Sequence, residues 1–162
     1  MSNDKFLCRL AHAANDTALE ERFNFSLEGN GLIGLEEGWS SPEPWGVWSV
    51  SDRASFIIPV NHADKQPESL KLKFNTFNGS TDAPISQRIN IQVNTVSVAT
   101  IATDPTTPMP VELSIDLVNN GIEAKEFFRI EFTMDTASSP LSIGMSQDNR
   151  RLAVGLISAE LD

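Results

Sequence analysis

The chain has 162 residues, of which 40% are hydrophobic and 21% charged, enough apolar material for one core without disulfide or metal staples and too much for a disordered chain. With 22 acids against 12 bases the formal charge is −10, and no cluster of Lys and Arg overrides that field, so nucleic acid and anionic lipid surfaces are excluded as partners. The single Cys8 rules out an internal disulfide and lacks the second thiol of a redox pair or a zinc knuckle.

Residues 4–22, DKFLCRLAHAANDTALEER, place Phe6, Leu10 and Ala14 on one helical face, with Asn15-Asp16 as a break or cap, so 1–22 reads as an N-terminal helix or a linker. No apolar run precedes Ala11-His12-Ala13, so no signal peptide is expected. No stretch approaches the roughly 20 apolar residues of a membrane span, and a soluble chain follows. The sequons at Asn15, Asn24 and Asn78 then carry little meaning.

From residue 23 to 162 the period changes to two. LKLKFNTF (70–77), RINIQV (88–93), VELSIDL (111–117) and FRIEFTM (128–134) alternate apolar and polar residues, the mark of strands with one dry and one wet face. ASFIIPV (54–60) and RLAVGLISAEL (151–161) are more continuously apolar and suit deeper strands. Turn formers at 51–52, 78–84, 104–110 and 119–121 separate the runs, with no helical stretch for parallel crossovers. The expected fold is all-β: an antiparallel β-sandwich, jelly-roll or immunoglobulin-like, behind a short N-terminal helix.

All three tryptophans fall within GWSSPEPWGVWSVSD (38–52). Pro42 and Pro44 withhold amide donors, making 40–45 a loop, whereas GVWSV begins a strand. Trp45 and Trp48 would face opposite ways on one strand, which makes Trp48 the expected buried anchor and leaves Trp39 and Trp45 flanking Glu43 in the loop. Two readings stand side by side. Indole faces with a carboxylate suit the C–H surfaces and hydroxyls of a sugar; equally, the indoles plug one end of the sandwich. A polar turn with Ser146, Asp148, Asn149, Arg150 and Arg151 precedes the last strand, and Arg150 has the geometry to grip a carboxylate such as Glu43.

With these two stretches in view, about residues 30 to 161 resemble a β-sandwich accessory domain attached to bacterial glycosyltransferases of cell-surface polysaccharide biosynthesis. Glu43, Trp45, Gly46, Trp48 and Ser49 match its opening motif, and Gly144, Ser146, Asp148, Arg150 and Leu152 its closing one. Val47 stands where an Arg is frequent and Ala153 where a Gly is frequent; losing that Arg weakens the case for an anionic sugar. The resemblance implies a non-catalytic module that holds or orients glycan for a transferase catalytic domain, on the cytoplasmic side. Trp39, Glu43, Trp45, Asp148 and Arg150 are the expected ligand-binding residues, with no cofactor and no metal. A docking or oligomerisation domain without glycan binding is the alternative.

Enzymatic readings fare worse. His12 and His62 have no i,i+4 partner for a metal, and Ser49, Ser146 and Cys8 lack an adjacent base. A glycosidase built on Glu43 and Asp148 meets the objection that Arg150 keeps Asp148 ionised, whereas a general acid needs a raised pKa.

Overall fold

The computed structural model describes residues 22–60, 66–124 and 126–162. The expected helix over 4–22, with Cys8 and His12, lies outside the described residues except for Arg22, as does His62. Among the described residues there are nine strands: β1 (Arg22–Asn24), β2 (Val47–Trp48), β3 (Arg53–Pro59), β4 (Ser69–Thr76), β5 (Gln87–Val93), β6 (Val96–Thr103), β7 (Val111–Asp116), β8 (Phe127–Met134) and β9 (Val154–Leu161). Single 3₁₀ turns occupy Leu32–Gly34 and Leu141–Ile143. Among the described residues no helix is long and apolar enough to cross a membrane.

One sheet runs β1-β9-β4-β7, with β2 also pairing β9; the other runs β3-β8-β5-β6, and every pair is antiparallel. This topology is organised around a single turn. Asn94 and Thr95 both take positive φ, the two-residue turn that suits strand twist, and join β5 to β6. Outward from it the pairs nest: β4 with β7, β3 with β8, β2 with β9. The chain is thus one long hairpin wound over itself, and from β2 onward only β5 and β6 are consecutive strands of one sheet. That winding is a jelly roll; an immunoglobulin sandwich keeps several consecutive strands in one sheet.

The alternating runs seen in the sequence become β4, β5, β7 and β8, and the two deeper ones β3 and β9. In β4, Leu70, Leu72 and Phe74 are buried while Lys71 lies outside, and in β5 Ile89, Ile91 and Val93 are buried. Phe74 and Phe132 meet edge to face at 5.7 Å across the two sheets, and Phe132 also contacts Phe56. β6 reads VSVATIAT, without alternation of polarity, and is absent from the sequence-based expectation.

Polar bonds close one end of the sandwich. Buried Gln87 donates from Nε2 to the Phe77 carbonyl at 2.7 Å and accepts from the Thr136 hydroxyl, while the Phe77 amide donates to the Ala153 carbonyl. Phe77 is thereby fixed where β4 leaves the sheet, beside β9.

Candidate functional site

The tryptophan stretch folds as two linked features. Glu43 and Gly46 exchange backbone hydrogen bonds of 2.8 and 3.2 Å, making Pro44-Trp45 the tip of a two-residue turn, for which proline's fixed φ is suited. The chain then enters β2 against β9. Val47 and Ser49 point inward and are fully buried; the Ser49 hydroxyl accepts the Val154 amide at 2.9 Å. By the two-residue period Trp48 must face outward, over sheet β1-β9-β4-β7.

This reverses the expectation for two of the indoles. Trp48 is half-buried on the outer face, not a core anchor, because Val47 takes the inward position. Trp39 instead packs on the core: its Nε1 donates to the Ser55 carbonyl at 2.7 Å, and its ring meets Phe56 and Phe132 edge to face. Its N–H is spent, and it is half-buried like the other two indoles. Trp45 and Trp48 pair with each other at 5.1 Å and 74°, and Trp48 rests against Phe77 at 87°.

What lets two indoles lie on a β-sheet is the absence of a side chain beneath them. A Cβ on Gly155 would sit 2.7 Å from Trp45 and 3.1 Å from Trp48. Sequence reasoning missed Gly155 and Phe77; the available signal was a glycine inside an otherwise apolar strand, which marks a close approach. Cross-strand register puts Trp48, Gly155 and Asn75 in one row on the same face.

The second element is the excursion between Ser138 and Leu152, which bond to each other and close its base. Inside it, Gly144 ends a 3₁₀ turn at φ 75°, and the Leu141 amide donates to the Asp148 carbonyl at 2.8 Å. Asp148 accepts from the Arg150 amide at 3.0 Å and from its guanidinium at 3.0 Å (Nε) and 2.6 Å (Nη2), a fork of charge-assisted bonds. The remaining nitrogen, Nη1, lies 3.7 Å from Glu43 Oε2, an ion pair too long for a hydrogen bond. That oxygen is buried and has no hydrogen-bond partner, although the Glu43 side chain as a whole is 36% exposed.

The structure therefore brings Glu43, Asp148 and Arg150 together, with Trp45 two residues along the turn from Glu43, and leaves Trp39 in the sandwich. The hydrogen bonds and charge of Arg150 hold the Asp148 carboxyl below the usual range, and Asp148 and then Glu43 push the guanidinium the other way. Asp148 thus stays ionised at neutral pH and is unsuited to general-acid work. Since the folded pKa is depressed, the stability it contributes is present above the unfolded value, about 4, and is lost as pH falls through the lower folded value. Urea titrations of Asp148→Asn should accordingly show a shallower loss of stability between pH about 5 and 2 than the parent chain. The share carried by Asp104, held low by Thr106 and Thr107, should remain.

Fold and site together define a jelly-roll β-sandwich with a surface indole pair beside an acid–guanidinium cluster. No family model matches the chain, and no curated protein matches it. Similar solved structures include the CBM36-1 domain of a multidomain xylanase from the hindgut metagenome of Trinervitermes trinervoides, at 10% identity and TM-score 0.42, covering 78% of this chain and 86% of that one. Another is the carbohydrate-binding module CBM36 in complex with calcium and xylotriose, at 12% identity and TM-score 0.42, covering 79% and 92%. Likeness of that order carries no argument about the chemistry of this chain.

Proposed function

We propose that the chain is a non-catalytic saccharide-binding module whose contact surface is Trp45 and Trp48 together with Glu43, Asp148 and Arg150. The observation that carries this is the half-buried indole pair laid over Gly155 on the outer face of the sheet, on the same turn as the partly exposed side chain of Glu43. An indole face takes the C–H side of a pyranose, while the solvent-facing part of the Glu43 carboxylate accepts from its hydroxyls. Arg150 is already flanked by two carboxylates, so the cluster has a formal charge of −1 and favours a neutral or amino sugar over an acidic one. Trp39 has no part in this surface. The opening and closing sequence motifs support service to a glycosyltransferase of polysaccharide assembly, acting on the cytoplasmic side.

Titration calorimetry against neutral, amino and acidic bacterial saccharides tests the proposal. Binding is expected for the first two classes, with Trp45→Ala weakening it at least about tenfold, roughly 1.4 kcal/mol, while far-UV circular dichroism stays unchanged. Flat titrations of the native chain across all three classes would overturn it.

A further inference from the structure

A sandwich that is not a closed barrel exposes strand edges, each a row of unpaired backbone groups that invites another strand. Three of the four edges here are managed. β3 is covered by the preceding segment: the Glu36 amide donates to the Ser55 carbonyl, the Ser55 amide to the Glu37 carbonyl, and Leu35 bridges Phe56. β1 and β2 are three and two residues long. β7 carries exposed Glu112 and Asp116.

Among the described residues β6 has none of these devices. It spans eight residues, Val96–Thr103, without a charge or a proline, in a chain of net charge −10. Among the described residues its backbone pairs with β5 alone. A bulge interrupts the ladder near Val98, but Ala99–Thr103 run in regular register opposite Ile91–Gln87. Val96 is 39% exposed, and Val98, Ala99 and Ile101 are only partly covered.

We propose that β6 is a self-association edge, pairing antiparallel with β6 of a second copy about a two-fold axis near Ile101. A second copy is the occupant because the strand is complementary to itself. Antiparallel pairing sets residues of the same face opposite each other, Thr100 with the partner's Ala102, and Ile101 with its own equivalent. No like charges meet along the whole strand, whereas a β7–β7 pair centred on Ser114 sets Glu112 against the partner's Asp116. The two four-stranded sheets become one eight-stranded sheet, and the isologous contact closes at two copies.

Thr100 and Ala102 are exposed, so charges there leave the fold intact. Sedimentation equilibrium of the full chain, up to about 1 mM to reach weak association, should show the mass rising from 17.8 kDa toward twice that value. The Thr100→Lys/Ala102→Lys and Thr100→Glu/Ala102→Glu doubles should each stay monomeric, and an equimolar mixture should recover the dimer. A monomer at every concentration, a dimer indifferent to both doubles, a mixture that fails to pair, or growth beyond two copies would each overturn the proposal. None of these readouts uses saccharide, so the binding surface and the edge stand or fall separately.

Discussion

Phe132→Ala is expected to lower the unfolding free energy by about 3–5 kcal/mol in urea titration, the range for truncating a fully buried aromatic. Phe132 sits in β8 between Ala54 of β3 and Ile91 of β5, with no solvent exposure. Its ring touches Trp39, Phe56 and, across the sandwich, Phe74 at 5.7 Å. Removing it deletes contacts to both sheets at once, and rings held on β3, β4 and the segment before β2 cannot all collapse into the space. Trp48→Ala removes a larger side chain but should cost less, because that indole is half-exposed on the outer face and leaves a dent that water fills. Equal losses for the two variants would show that Trp48 anchors the sandwich as much as Phe132, and a smaller one for Phe132→Ala that it does so more.

Gly46→Ala is expected to abolish saccharide binding and to cost about 1–3 kcal/mol of stability, the range for small-to-large intrusions into packed regions. A Cβ at Gly46 would lie 2.3 Å from the Leu156 carbonyl oxygen, a backbone atom of β9 that cannot turn aside. The residues after the turn must then swing away from β9, loosening the pairs Val47 with Leu156 and Trp48 with Gly155. Both indoles and Glu43 travel with that turn. Calorimetry with the tightest-binding saccharide, together with a urea titration, checks the two halves of the expectation. Native-like affinity in the alanine variant would mean that the contact surface does not depend on β2 docking against β9.

The alternating runs were legible because each strand with one wet face prints its burial directly into the sequence: Leu70, Leu72 and Phe74 inward, Lys71 and Lys73 toward solvent. β6 was not, since an edge strand of Ser, Ala, Thr and Val with one Ile has little burial contrast to print. Jelly roll and immunoglobulin windings stayed indistinguishable for a related reason. Both are made of the same kind of strand, and only the pairing of β2 with β9 and β3 with β8 around the Asn94–Thr95 turn separates them. In the site, Arg150 was readable as a carboxylate-gripping residue, yet its strong fork goes to Asp148 and only its far nitrogen approaches Glu43.

By itself the sequence determined that this is an acidic, all-β sandwich whose indoles gather around a proline-rich turn beside Glu43, because period, turn chemistry and charge act over a few residues. Only the tertiary structure decided which indole serves the core and which face the outside. A one-residue choice, Val47 inward, sets the direction of Trp48, and that choice is made by the β9 partner near the far end of the chain. The meeting of Glu43 with Arg150 has the same origin: strand pairing, not sequence proximity, carries the two turns to one rim of the sandwich.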